Sequence, residues 1–304
     1  MSSTLKVAVF GLGSMGFGMA ESLVRAGHTT YGFDPVVDQQ DRLVTIGGVS
    51  ADLDAIADDL QAVVLVVLNA QQTESVLFGD DASAGLVPKL SPGAVVVSCA
   101  TVPPEFAKAM SIRCAEHQVH YLDSPISGGS VKAREGALSV MASGTTDAFN
   151  AAHPVLEATS EKVFILGDSA GAGSAMKAVN QMLAGVHIAA MAEAMTFGIT
   201  QGVEPETFVD VITQCAGNSW MLENRAPHIV AGDYTPHSSV NIWPKDLGIV
   251  LDVAQSAKFS APITEAALAQ FVAAADKGLG LEDDAAVAKV YAANAGVSLP
   301  KVNS

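Results

Sequence analysis

The stretch "VAVFGLGSMGFGMAESLVRAGH" (7–28) constrains this chain more than any other. It opens as an apolar strand, passes through Gly11-Leu12-Gly13-Ser14-Met15-Gly16, and continues as an amphipathic helix with a second strand behind it. A GxGxxG turn in that setting is built to hold a pyrophosphate. Gly11 makes the tight turn, Gly13 lets backbone approach the phosphates, and Gly16 lets helix and strand pack closely. The helix N-terminus then offers amide donors and the positive end of its dipole. The second strand ends at Asp34, roughly 20 residues beyond the loop. A carboxylate there accepts hydrogen bonds from an adenosine ribose diol and repels a 2′-phosphate. No arginine follows it immediately, so NAD is expected over NADP. Taken singly, the glycines also fit a plain turn, and Asp34 a turn cap.

Short apolar runs, most of them rich in Val, occur at 6–11, 29–34, 62–68, 94–100, 119–123, 137–143 and 162–166, several separated by helical stretches. Continuous rather than alternating apolar runs mark strands covered on both faces, and strand–helix–strand order gives a parallel, doubly wound sheet. After Leu166 comes "GDSAGAGS", and everything beyond reads as helix, with segments at 205–215, 244–257 and 261–278. The expected fold is therefore α/β: a Rossmann-type doubly wound sheet domain (1–167), then an all-α domain (168–304), joined through a long helix from about 173 to 202.

Formal net charge is −16 over 304 residues. Such a surface repels phosphate backbones and anionic membranes, so neither nucleic acid nor membrane is an expected partner. An anionic substrate then needs a local cationic or amide site. The apolar run 175–199 carries Lys177, Asn180, Gln181, His187 and Glu193, which suits a core helix better than a membrane span. Cys99, Cys114 and Cys215 have no CxxC spacing and read as buried, reduced thiols. The histidines show no ligand spacing, so no metal is expected. "MSST" leads almost directly into a strand without a secretory pattern, and a cytoplasmic protein is expected.

Four segments occur in order: "GLGSMGFGMA" (11–20), "DSPISGG" (123–129), "GAGSAMKAVNQ" (171–181) and "WPKDLGI" (243–249). Together they resemble the β-hydroxyacid dehydrogenase family over nearly the whole chain. Two details look most like its L-threonate branch. "VVLNAQQTESVLFG" (66–79) stands where better-known members have Met-Leu-Pro, and Gln181 stands where they have a second Asn. Substrates of other branches, 3-hydroxyisobutyrate and tartronate semialdehyde, remain alternatives. So does a non-catalytic dinucleotide sensor, because fold does not fix function.

The resemblance implies a small hydroxy-acid substrate, NAD, and a homodimer or homotetramer formed through the helical domain. It makes Lys177 the catalytic lysine. Burial in an apolar helix disfavours an ammonium ion, so Lys177 can take up the substrate hydroxyl proton. Such positioned acid–base help is worth ~10²–10⁴ in rate. By residue type alone, a lysine snorkelling at a helix start is the other reading. Asn180, one turn on, is expected to bind substrate oxygen or to bond another helix, and Gln181 to reshape the substrate pocket. Ser127, Gly128 and Gly129 offer a hydroxyl and unobstructed amides to a carboxylate, or form an ordinary turn. Thr101, at a strand's carboxyl end, is implied to contact the cofactor, and also fits a helix N-cap before Pro103 and Pro104. Lys245 is implied to reach the cofactor or substrate site, with Asp246 either orienting it or serving as a favourable acid in a first helical turn. "NSWMLENRAP" (218–227) resembles a family loop, in which Trp220 is either a pocket wall or a core residue.

Overall fold

The computed structural model describes residues 4–80 and 83–301. Contacts divide the chain into two compact units, one ending at Lys177 and the other beginning at Ala178.

In the first unit a five-stranded sheet is built from β1 (Lys6–Phe10), β2 (Thr29–Phe33), β3 (Ala62–Leu65), β4 (Val95–Ser98) and β5 (His120–Asp123). Every pairing is parallel and the order is β2-β1-β3-β4-β5. A parallel bridge between Tyr31 and Val49 adds a rudimentary strand outside β2. Alternate residues feed two cores. Val7, Val9, Val64, Val95 and Val97 pack on one side with Phe17, Leu23, Ala152 and Val155. Ala8, Phe10, Val63, Leu65 and Val96 pack on the other with Leu77, Met110 and Cys114. This two-sided burial is why β1, β3 and β4 read as unbroken Val-rich runs. Each buried Val, Leu, Met or Phe among them contributes ~1.5–3 kcal/mol.

The helices that cover the sheet are α1 (Gly16–Arg25), α2 (Val37–Thr45), α3 (Ala70–Phe78), α4 (Pro104–Glu116), α5 (Gly129–Glu135) and α6 (Thr146–Thr159). A second sheet joins β6 (Ile126–Ser127), β7 (Leu138–Ala142) and β8 (Ser160–Ile165) in the order β8-β7-β6. An antiparallel bridge from Asp123 to Ser143 links it to β5.

The long helix α7 (Ala172–Thr200) carries the chain into the second unit. It is long and apolar enough to cross a membrane by length and composition, and 39% of its most apolar window is buried. The second unit continues with α8 (Pro205–Ile212), α9 (Trp220–Ala231), α10 (Ile242–Ser256), α11 (Pro262–Ala274) and α12 (Ala288–Ala295). Its core gathers Ile188, Met195, Ile229, Trp243, Leu247 and Phe271. Buried charge is paired: Arg225 meets Asp284 at 2.5 Å, and Trp243 Nε1 donates to the same carboxylate at 2.9 Å.

Four expectations are corrected. The segment 218–227 is no loop. Ser219 caps α9 by accepting from Leu222 N–H at 3.1 Å, and the helix runs through Pro227 to Gly232. Trp220 is 59% exposed, and Trp243 is the buried tryptophan. Cys215 is exposed, whereas burial pushes the Cys99 and Cys114 thiols up to about 12. The N-cap of α4 is Pro103, so Thr101 lies before the cap.

Candidate active site

The glycine loop follows β1 and is held by tight contacts. Gly11 has φ +88°, and a side chain there would meet Val66 O at 2.6 Å. A Cβ on Gly16 would stand 1.8 Å from Gly11 O, so α1 packs against its own loop without a side chain. At Gly13 the opposite holds, since an added Cβ meets nothing within 4 Å. Leu12 is buried, Met15 is half-buried on the core, and Ser14 is exposed. Asp34 ties this loop to the end of β2. Its Oδ2 accepts from Leu12 N–H at 2.7 Å and its Oδ1 from Val36 N–H at 2.8 Å.

A cavity of about 1060 Å³ opens over these residues. Gly11, Gly13, Asp34, Val66, Leu68 and Asn69 are among its walls. It lies at the carboxyl ends of β1 and β3, the switch point where doubly wound sheets take ligands. Open backbone at Gly13 and a carboxylate fixed at the strand end fit a nicotinamide dinucleotide. When bound, that cofactor supplies a hydride acceptor. Asn69 caps α3 by accepting from Gln72 N–H at 2.9 Å. Thr101, beyond β4, is half-buried and is not among the described residues lining this cavity.

A second cluster surrounds Lys177. The lysine is 9% exposed, and its Nζ donates to Ile126 O at 2.8 Å. That carbonyl immediately precedes Ser127, Gly128 and Gly129. Gly128 and Gly129 have φ +137° and +76°, conformations that a glycine adopts without strain. An added Cβ on Gly129 meets nothing within 4 Å, so this backbone is open to a ligand.

Asp123 was given no role by sequence reasoning, yet it builds the start of α7. Its Oδ2 accepts from the N–H groups of Gly171 at 2.8 Å and Ser174 at 2.9 Å. The Ser174 hydroxyl donates to Oδ1 at 2.6 Å, and the Ser143 hydroxyl to Oδ2 at 3.2 Å. Ser143 Oγ in turn accepts from Gly173 N–H at 2.9 Å. A buried carboxylate thus satisfies donors that a helix start leaves orphaned. The available signal was a strand ending in Asp ahead of a Gly/Ser joint.

In the second unit Gln181 is buried. Its Nε2 donates to Asp246 Oδ2 at 2.5 Å, and its Oε1 accepts from Asn180 Nδ2 at 2.9 Å. Lys245 pairs with Asp246 Oδ1 at 2.6 Å. Asn180, Gln181 and Lys245 therefore meet through Asp246.

Residues 6–167 match the family model described as the NAD binding domain of 6-phosphogluconate dehydrogenase. Residues 171–291 match the NAD-binding domain of NADP-dependent 3-hydroxyisobutyrate dehydrogenase. The L-threonate dehydrogenase of Cupriavidus necator is 48% identical over 295 residues, covering 97% of each chain. The chain belongs to the β-hydroxyacid dehydrogenase family. Another member, the L-threonate dehydrogenase of Escherichia coli K12, is 44% identical over 304 residues, with 99% of each chain covered. A solved member, 3-hydroxyisobutyrate dehydrogenase from Salmonella typhimurium, has a TM-score of 0.88 at 42% identity, covering 94% of this chain and 99% of that one. As a β-hydroxyacid dehydrogenase, the chain uses a nicotinamide dinucleotide to oxidise a hydroxy acid. The family models part between residues 167 and 171, near the glycine joint, whereas the compact units part at Lys177.

Proposed function

We propose that this protein oxidises L-threonate to its 2-oxo acid with NAD, Lys177 acting as the general base. The observation that carries the chemistry is the Lys177 Nζ held 2.8 Å from Ile126 O, directly before the Ser127-Gly128-Gly129 loop. In this reading the loop amides and the Ser127 hydroxyl hold the substrate carboxylate. Lys177 takes the hydroxyl proton as hydride leaves, and returns it in the reverse direction. Asn180, on the next turn of α7, contacts a substrate oxygen, and Thr101 and Lys245 serve the nicotinamide end of the site. The substrate choice is supported by the likeness to L-threonate dehydrogenases over nearly the full chain. The preference for NAD is supported by Asp34, whose carboxylate is fixed at the end of β2 beside the glycine loop.

The sheet domain (1–167) is proposed to carry the cofactor, and the helical domain (168–304) to shape the substrate site and assemble the protein. A homodimer or homotetramer is supported by exposed Val179, Leu183 and Phe197 on α7, and light scattering tests it. The proposed compartment is the cytoplasm.

The deciding experiment is a kcat/KM panel over C3–C4 hydroxy acids with NAD and NADP, run on the wild type and on Lys177→Ala. L-Threonate with NAD should lead the panel, and Lys177→Ala should bind NADH yet lose ~10²–10⁴ of turnover. Wild-type kcat in that variant removes the base. Tight NADH binding with no turnover on any acid makes the protein a dinucleotide sensor.

A further inference from the structure

We infer that Gln181 is a positioning residue that fixes which way the Asn180 amide points, so that Asn180 reads a substrate hydroxyl beyond the one being oxidised. The inference rests on the hydroxy-acid reading above and adds a recognition rule to it. An ionised carboxylate only accepts hydrogen bonds. The Gln181 atom facing Asp246 Oδ2 at 2.5 Å is therefore its nitrogen, and the Lys245 ammonium occupies the carboxylate's other oxygen at 2.6 Å. With its nitrogen committed, Gln181 must turn its oxygen toward Asn180, and that oxygen accepts from Asn180 Nδ2 at 2.9 Å. The amide of Asn180 is then fixed in turn, nitrogen toward Gln181 and oxygen away from it. An oxygen acceptor selects a donor such as a hydroxyl and rejects a carboxylate.

Asn180 stands three residues beyond Lys177, about 4.5 Å along the helix axis. A group that meets Asn180 while Lys177 holds the reacting hydroxyl therefore belongs to a later carbon of the substrate. Polarity is transmitted from a buried acid, through one glutamine, to the side chain that meets the ligand. An asparagine at 181 is one methylene shorter and does not span Asp246 and Asn180 together, so the length of Gln181 is the functional property.

The test compares kcat/KM for L-threonate with that for 2-hydroxybutanoate, which has the same carbon count without the further hydroxyls. It uses the wild type, Gln181→Met, Gln181→Asn and Asp246→Asn. The wild type should favour L-threonate. Both Gln181 variants should lose about 10–100-fold of that preference, chiefly through KM, while the pH profile of kcat stays in place. Simple structural damage would lower both substrates alike and leave the ratio unmoved. Asp246→Asn can offer either amide face to Gln181, so it should lose the preference as well, and combining it with Gln181→Met should add nothing further. A Gln181→Met or Gln181→Asn enzyme that keeps the wild-type ratio overturns the inference. A wild type that does not prefer the polyhydroxy acid overturns instead the substrate reading on which it stands.

Discussion

Replacing Asp123 by alanine should damage stability and turnover together. The carboxylate accepts from two backbone N–H groups, those of Gly171 and Ser174, and from the hydroxyls of Ser143 and Ser174. The hydroxyls can rotate to new partners, but the N–H groups are fixed by the helix. Each buried donor left without an acceptor costs roughly 1–3 kcal/mol, and loss of the charge at a helix start adds to that. The sum is about 3–5 kcal/mol, a large share of the ~5–15 kcal/mol that holds a typical domain folded. For a unit of this size, that lowers Tm by roughly 6–20 °C. Asp123→Asn keeps an oxygen for the two N–H groups and loses only the charge, so its drop should be about 1–2 kcal/mol. Lys177 lies on the turn that Asp123 anchors, so kcat should fall in the same order, alanine below asparagine below wild type. Thermal unfolding by circular dichroism and steady-state kinetics with the best substrate read both effects. An alanine variant with wild-type Tm and kcat would refute the anchoring role.

Gly13→Ala should leave Tm unchanged, because its methyl meets nothing within 4 Å, yet weaken NAD binding at least tenfold by entering the space of the pyrophosphate. Calorimetric titration with NAD checks it, and an unchanged Kd would place the phosphates elsewhere. Gly16→Ala sets a Cβ 1.8 Å from Gly11 O and should instead fail to fold stably, visible as loss of soluble protein or of its cooperative melt. Asp34→Ser should narrow the kcat/KM ratio of NAD to NADP by about 10–100-fold, and a retained ratio would free Asp34 from ribose recognition. Acid stability should depend on Asp283. Burial pushes its carboxyl up, but hydrogen bonds from His228 and from the His237 and Ala285 N–H groups, with the Arg225 charge, outweigh this and hold it at about 2. A lowered folded value gives stability that is present above the ordinary value of 3.8 and lost as pH falls toward 2. His228→Ala should therefore be less stable than wild type at pH 6, by roughly 1–2 kcal/mol, with the gap closing near pH 2. Urea melts at both pH values measure the gap, and an equal difference at each would remove the linkage.

The runs that became β1, β3 and β4 were legible because burial on both faces leaves an unbroken apolar signature, whereas β8 lies largely exposed. The glycine loop was legible for a related reason: Gly11 and Gly16 stand where any side chain strikes backbone. Lys177 and Gln181 stood out as polar residues in an apolar helix. What the sequence hid were relations across distance. Asp123 meets residues 48 and 51 positions later, and Gln181 meets Asp246 65 positions on. No local pattern marks such pairs. Helix α9 was expected to be a loop from the resemblance alone, although Ser219 stands where a helix N-cap belongs.

Asp34 carries a cost for anyone altering cofactor choice. Both of its oxygens are already engaged by the N–H groups of Leu12 and Val36, so its rotamer is settled during folding and the ligand meets a rigid acceptor. Ordering a free side chain on binding costs about 0.5–1.5 kcal/mol, and this one is ordered beforehand. The same bonds tie β2 to the phosphate loop. A substitution that admits a 2′-phosphate must therefore also replace the splint between strand and loop, so cofactor preference and thermal stability will move together in directed evolution of this enzyme.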